Sequence, residues 1–268
     1  MKDITLVAID FAYHDLTRYA IEQTLKQIDV KELVVVSDKE IVPGTIITPT
    51  MQYNELAEYM LKGFAEHVNT DHALFVQWDG IAHDSNLWQD EFLNYDYIGA
   101  VWPWEPNGRN VGNGGFSLRS KRLLDACLDS HIKPPVDRSW AEDKAIGNDH
   151  RAYLEATHSI KYAPPALARQ FSFELGVHEP SFGFHGLWNV FNFMTDDDMD
   201  YFYPRITYTG WNMYKWHHTL AAVMRRERMD IYEYMLNHLI ENSPELLTPV
   251  AQWLESDANN PSKNLVIN

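Results

Sequence analysis

The chain has little cysteine and little positive charge. Cys127 is its single cysteine among 268 residues, so no intrachain disulfide can form, and a reducing compartment is expected. Only 22 Lys and Arg stand against 38 Asp and Glu, which gives a formal net charge of −16. A field of that sign repels polyanions, so it disfavours nucleic acid and anionic membranes as partners.

Long apolar runs are missing as well. No stretch approaches the ~20 apolar residues of a membrane-spanning helix, and the apolar run at residues 4–9 is too short for a signal peptide. Hydrophobic residues nevertheless make up 45% of the chain and charged residues 22%, which predicts a packed core. We therefore expect a soluble, cytoplasmic protein.

Glycine is absent before Gly44. A dinucleotide-binding Rossmann unit needs a Gly-rich turn directly after its first strand, and residues 11–14 read Phe-Ala-Tyr-His instead. No G-x-x-x-x-G-K-[ST] segment occurs, which excludes a P-loop. The Gly-rich start of sugar-nucleotide pyrophosphorylases is also missing, which disfavours a nucleotidyltransferase. Ligand binding is therefore expected to depend on carboxylates at strand ends.

Strands and helices alternate over the first part of the chain. Apolar runs at residues 4–9, 33–36 and 73–76 alternate with helical periodicity at 15–28 and 56–68. This order predicts a parallel sheet with right-handed crossovers. The pattern then loosens, with short strands expected at 95–101, 116–119 and 159–163 and helices at 123–128 and 142–156. From about residue 190 the chain is predicted to be mostly helical.

Three carboxylates end predicted strands: Asp10, Asp38 and Asp79. In a parallel sheet these ends meet at one edge, where ligands bind. Asp10 or Asp38 is expected to accept hydrogen bonds from a ribose or a base, and capping of the following helix or turn is the alternative for each. Asp79 lies between Trp78 and Gly80, where capping explains it less well. We expect it to bind a metal or a diphosphate.

Several segments together carry a resemblance to a known family. They read VQWDG at 76–80, YDYIGA at 95–100, VGNGGFSLRS at 111–120, WAED at 140–143 and FGFHG at 182–186. In this order they resemble a family of glycosyltransferase-like proteins related to the GT-A class of nucleotide-sugar transferases. The resemblance implies an α/β fold at residues 1–190, with a mixed, mainly parallel central sheet flanked by helices. Residues 191–268 are predicted to form a helical C-terminal extension.

The resemblance also implies a metal site. In GT-A enzymes an Asp-x-Asp motif binds a divalent cation, usually manganese, that bridges the donor diphosphate. Here Gln77 replaces the first Asp and is a weaker ligand for a hard cation. Asp79 would therefore carry the charge, Gln77 would contact the donor ribose or a metal-bound water, and His185 would add a ligand. The expected cofactor is Mn²⁺, with Mg²⁺ as the alternative, and the expected donor is a UDP-sugar.

Two further segments are predicted to act on the donor and the acceptor. The GNGG segment at 112–115 lacks Cβ atoms at three positions, which permits close approach of the backbone to a ligand. The resemblance implies that Gly114 and Gly115 contact the donor, and a tight turn is the alternative. It also assigns Asp143, with Glu142 as second choice, as the base of an inverting transfer. Favourable charge at a helix N-terminus is the structural alternative for that pair.

Aromatic side chains supply the predicted acceptor contacts. Trp102, Trp104 and Trp140 lie near these segments, and aromatic rings stack on the apolar faces of sugars. Burial in the core is the alternative for each. The sequence thus predicts a metal-assisted, hexosyltransferase-like glycosyltransferase. The second hypothesis is a glycan- or nucleotide-binding module without turnover, which the substitution at Gln77 keeps open.

Overall fold

The structure is a computed structural model that describes residues 2–105, 108–134, 142–176, 179–208 and 210–258. Within these ranges the chain forms two compact units. The first contains residues up to 175 together with 179–185, and the second contains residue 176 together with 186 onward. The predicted domain division between residues 190 and 191 falls inside the first helix of the second unit, Leu187–Phe193.

The first unit is built on two sheets. Its strands are β1 (Lys2–Asp10), β2 (Val30–Ser37), β3 (Ile46–Ile47), β4 (His72–Val76), β5 (Gly80–Ala82), β6 (Tyr97–Gly99), β7 (Phe116–Ser120), β8 (Ser172–Phe173) and β9 (Gly183–His185). The larger sheet has the order β3-β2-β1-β4-β7-β6, and the smaller has the order β5-β9-β8. The first four strands of the larger sheet are parallel, whereas β7 runs antiparallel to both of its neighbours. The predicted mixed, mainly parallel sheet is confirmed.

Helices cover this sheet. They are α1 (His14–Gln27), α2 (Tyr53–Lys62), α3 (Lys121–Ala126), α4 (Glu142–Lys144), α5 (Arg151–His158) and α6 (Pro165–Phe171). Alternate residues of the central strands enter different cores, since Leu6 and Leu74 belong to one buried cluster and Val7 and Phe75 to another. Burial on both faces explains why these strands read as unbroken apolar runs.

Several predicted elements differ from the structure. The predicted strand at 159–163 is reduced to one bridge between Tyr97 and Tyr162, because α5 ends in a left-handed residue, Ser159 (φ 56°), that redirects the chain. The predicted helix at 142–156 is interrupted by a π-helical turn at Ala145–Asp149. The π turn adds a residue to the helical repeat, which a 3.6-residue periodicity does not predict.

The second unit is helical, as predicted. Its helices are α7 (Leu187–Phe193), α8 (Asp196–Phe202), α9 (Met213–Arg225), α10 (Met229–Asn242) and α11 (Leu247–Ala258). The acidic run at 196–200 starts α8, where it favours the helix N-terminus, and two of its carboxylates pair with Arg226 and Arg228. Across the described ranges, no helix combines the length and the apolar character that crossing a membrane requires.

Candidate active site

The chain makes a tight turn after β4 that presents Asp79. Val76 ends the strand, the Gly80 N–H donates to the Gln77 carbonyl at 3.0 Å, and β5 begins. A Cβ on Gly80 would lie 2.2 Å from the carbonyl oxygen of Gly115. The Asp79 turn therefore packs directly on the backbone of the 112–115 loop, and only glycine fits at the contact.

His185 lies beside this turn because β9 pairs with β5, which places Gly80 opposite His185. Asp79 Oδ1 is 3.7 Å from His185 Nε2, and Glu174 Oε1 is 3.2 Å from Nδ1. Asn113 Nδ2 donates to the other Glu174 oxygen at 3.0 Å. A carboxylate on Nδ1 fixes the ring so that Nε2 faces Asp79, which is how metal-binding imidazoles are oriented.

The charge around His185 is negative. Burial disfavours the protonated imidazole, but Asp79 and Glu174 outweigh that effect and raise the pKa of His185 to about 9. A metal ion could bind Nε2 only after this proton is lost, because histidine binds metals as the neutral imidazole. Sequence reasoning missed Glu174, which follows β8 with no motif around it. It also gave Asn113 no role, although Asn113 lies inside the Gly-rich segment.

The residues present fit a divalent cation only in part. The described residues contain no group of three or more His, Cys, Asp or Glu that could hold a metal ion. Asp79 and His185 offer one carboxylate and one imidazole, a pair suited to Mn²⁺. The remaining ligands would have to be oxygens of water or of a bound phosphate, as is common for ions that act on phosphates.

The glycines at 114 and 115 are packing positions. A Cβ on Gly115 would lie 2.1 Å from His185 Nε2, and one on Gly114 would lie 2.8 Å from the Asp143 Cβ. Neither has a positive φ. Their N–H groups donate within the chain, Gly114 to Asp143 Oδ2 at 3.0 Å and Gly115 to Asn113 Oδ1 at 3.1 Å. Their contact with a donor stays a prediction.

Asp143 packs on Gly114, next to the glycine that His185 contacts. Its second oxygen, Oδ1, accepts the Lys144 N–H at 2.7 Å, and the side chain is partly exposed. Burial and the neighbouring Glu142 raise the pKa of Asp143 to about 7. A carboxyl with that pKa is suited to accept a proton near neutral pH.

Glu142 is engaged differently from Asp143. Its Oε1 accepts from Arg119 Nη2 at 2.6 Å, and both side chains are buried, Arg119 completely. The guanidinium lies 4.0 Å from the Phe75 ring centroid, and its Nε donates to Ser117 Oγ at 3.1 Å. Glu142 is thus the counter-charge of a buried arginine, which leaves Asp143 as the accessible carboxylate.

Asp10 and Asp38 bind groups of their own chain. Asp10 accepts the N–H groups of residues 12 and 13 at 3.2 and 2.8 Å, and burial raises its pKa to about 6. Asp38 contacts His14 Nε2 at 2.7 Å and accepts from Thr50 at 3.0 Å. The Asp10 contacts are the turn contacts of the alternative, whereas the Asp38 partners are distant in sequence. A nucleotide contact for either residue stays a prediction.

The predicted acceptor residues have different environments. Trp102 is 6% exposed, and its ring fills the space where Gly112 lacks a Cβ, at 2.3 Å from the position that atom would take. Trp104 is 50% exposed. Trp140 lies outside the described residues. Trp102 therefore serves the packing of the loop, and Trp104 is accessible to a ligand.

The Gly80 contact gives a stability prediction. We expect Gly80→Ala to lower the free energy of unfolding by about 3 kcal/mol, because the new methyl group displaces backbone rather than a side chain. Urea unfolding followed by circular dichroism measures the change. Gly44→Ala is the control: Gly44 has φ +87° and no atom within 4 Å of an added Cβ, so only backbone strain of about 1 kcal/mol is expected. Equal costs for the two variants would contradict the packing argument.

Among solved structures, the fold is similar to glycosyltransferases. One is a glycosyltransferase involved in the glycosylation of the major capsid of PBCV-1, with 13% identity and a TM-score of 0.46, covering 68% of this chain and 91% of that chain. An active-site mutant of LgtC has 9% identity and a TM-score of 0.44, covering 74% and 93%. The galactosyltransferase LgtC in complex with donor and acceptor sugar analogues has 11% identity and a TM-score of 0.41, covering 68% and 86%.

No curated protein matches the sequence. A family match covers residues 40–185, more than half of the chain, and includes the Asp79 turn, the 112–115 loop, the Glu142–Asp143 pair and His185. The chain belongs to the family described as "Protein of unknown function (DUF5672)".

Proposed function

We propose that the protein is a glycosyltransferase that moves a sugar from a nucleotide-diphosphate donor to an acceptor hydroxyl with the help of a divalent cation. The observation that carries the proposal is that three separate segments pack on the 112–115 loop. Gly80 and His185 pack on Gly115, and Asp143 packs on Gly114. A carboxylate–imidazole pair and a second carboxylate of raised pKa thereby lie against two adjacent glycines.

Asp79 and His185 would hold the cation, and Glu174 and Asn113 orient the imidazole from behind. A bound Mn²⁺ would supply stabilisation of the negative charge that develops on the departing diphosphate. Because the described residues hold no group of three or more His, Cys, Asp or Glu suited to a metal, cation and diphosphate are expected to bind together, each completing the site of the other.

Asp143 would act as the base. It takes the proton of the acceptor hydroxyl while the hydroxyl oxygen forms a bond to the anomeric carbon, and the bond from that carbon to the diphosphate oxygen breaks. A single displacement of this kind inverts the anomeric configuration. Glu142 is excluded from the role by its ion pair with the buried Arg119.

A panel of UDP-, GDP- and dTDP-sugars with Mn²⁺ tests the proposal. Release of nucleoside diphosphate is expected from at least one donor, with a UDP-sugar as the first candidate. Absence of both binding and release across the whole panel would overturn it. A crystal structure with UDP and Mn²⁺ is expected to show Asp79 and His185 on the same ion.

The same panel distinguishes the transferase from the second candidate function, a binding module without turnover. The observation that favours it is Gln77, a neutral residue at a position where GT-A enzymes carry a carboxylate. Binding of UDP with no product after long incubation would favour the module.

We expect Asp79→Asn to weaken UDP binding in the presence of Mn²⁺ by about 100-fold, or about 2.7 kcal/mol. The reason is that the variant removes the carboxylate charge that lies 3.7 Å from His185 Nε2. Isothermal titration calorimetry measures the change. Asp84→Asn is the matched control, because Asp84 lies in the same segment and, within the described residues, its carboxylate accepts hydrogen bonds from residue 86 alone in a surface turn. Equal UDP affinity in the two variants would remove Asp79 from the site.

A further inference from the structure

We propose that Trp104 is the platform on which the acceptor docks and that the acceptor is therefore a carbohydrate. The inference rests on the proposed transferase function and names the substrate class of the same site.

The Trp104 ring is accessible but held in place. It is 50% exposed, and it stacks on Trp102 with ring centroids 6.5 Å apart and planes inclined by 23°. Trp102 is itself fixed, since its ring lies against Gly112 and Gly147, 2.3 and 3.2 Å from where their Cβ atoms would be. A half-exposed ring backed by a buried one loses little conformational entropy when a ligand binds.

The stack lies beside the proposed base. Gly112 is two residues from Gly114, so the Cα atoms of these two glycines are at most ~7.6 Å apart. The Gly114 N–H donates to Asp143. Gly147 is four residues after Asp143, in the π-helical turn that follows α4. Trp102 thus contacts both elements that position Asp143.

The chemistry around Trp104 fits a sugar. Asn148 Nδ2 donates to Glu105 Oε1 at 3.2 Å, which places a carboxylate and a carboxamide next to the aromatic stack. A pyranose has an apolar C–H face for the indole and a rim of hydroxyl groups for planar polar side chains. Such a combination of one apolar surface with a few polar groups is typical of small-molecule sites.

Other acceptor classes fit less well. The other large hydrophobic residues with high exposure in the described first unit lie on different segments, namely Leu25, Leu33, Ile47, Tyr53 and Leu128. In the described part of this segment Trp104 is the one exposed aromatic ring, whereas an acyl chain or a protein partner needs a larger continuous apolar patch. A nucleic acid acceptor would meet Glu105 and a net charge of −16.

Saturation-transfer NMR with lactose, cellobiose and maltose tests the inference without donor or metal. We expect C–H protons of at least one disaccharide to be saturated by the native protein, and the signal to fall at least fivefold in Trp104→Ala. Trp104→Phe, which keeps an aromatic face, is expected to retain part of it. Trp253→Ala is the control, because Trp253 is 36% exposed in the second unit and should leave the signal unchanged.

Two results would overturn the inference: no saturation of any disaccharide by the native protein, or equal saturation in Trp104→Ala. Binding of UDP with Mn²⁺ to the same samples keeps the two proposals apart. If UDP binds and no disaccharide docks, the acceptor inference fails alone. If a disaccharide docks through Trp104 while no nucleotide binds, the proposed transferase function fails and a sugar-binding surface remains.

Discussion

Glu142→Gln is expected to lower the free energy of unfolding by about 3–5 kcal/mol, because it leaves the Arg119 cation buried without its counter-charge. Arg119 has no exposed surface, and its Nη1 has no hydrogen-bond partner within the described residues. The amide oxygen of the variant still accepts a hydrogen bond from Arg119 Nη2. The loss in the free energy of unfolding therefore measures mainly the missing negative charge. Urea unfolding at pH 8, where Asp143 is mostly ionised, gives the value.

Two further variants define what the Glu142 result means. Lys121→Gln removes the exposed pair between Lys121 and Asp125 and should cost no more than about 0.5 kcal/mol. Arg119→Met combined with Glu142→Gln removes both charges and should recover much of the loss, since a buried ion pair is often no better than apolar residues of similar size. A Glu142→Gln protein as stable as the native one would show that Asp143 alone neutralises Arg119.

The parallel half of the fold could be predicted because its signals are local. Unbroken apolar runs such as residues 73–76 require burial on both faces, and the strands of the larger sheet have it. The antiparallel placement of β7 beside β4 gives no such signal, because a five-residue buried strand reads the same in either direction. The π-helical turn at Ala145–Asp149 likewise leaves no mark on a 3.6-residue pattern.

The predicted motif segments lie close together in the structure, whereas sequence reasoning did not find their isolated charged partners. The segments around Asp79, Gly114 and His185 each contain glycine. Glycine permits close packing of the backbone, so its presence beside polar residues can be recognised in the sequence. Glu174 and Arg119 are ordinary charged residues until the fold brings them to His185 and Glu142. Their burial depends on ion pairs with residues that are distant in the sequence, and a local sequence pattern does not indicate such pairs.

Gly114 and Gly115 also allow two charged side chains of the site to pack on the same short loop. The two glycines are adjacent, and one contacts Asp143 while the other contacts His185. The negative charge of Asp143 therefore contributes to the raised pKa of His185. Each charged group keeps its own partners: the Gly114 N–H for Asp143, and Glu174 for His185.

Asp143→Asn is expected to reduce donor turnover by about 10²–10⁴-fold while UDP binding in the presence of Mn²⁺ stays within twofold of the native value. The amide keeps an acceptor for the Gly114 N–H but cannot take a proton. Turnover is measured as UDP release from whichever sugar donor the panel identifies. Asp149→Asn is the matched control, because Asp149 lies six residues on and pairs only with Lys144 at 3.3 Å among the ion pairs of the described chain.

The pH profile decides whether the loss comes from the base. Burial and Glu142 raise the pKa of the Asp143 carboxyl to about 7, so the group is protonated below that pH and ionised above it. A base must be ionised, and native turnover should therefore rise about tenfold per pH unit below pH 7 and level off above it. In Asp143→Asn the rise should disappear. In Glu142→Gln it should move to lower pH, because one of the causes of the raised pKa is gone. A native profile that is flat from pH 5 to 8 would assign the proton transfer to another group.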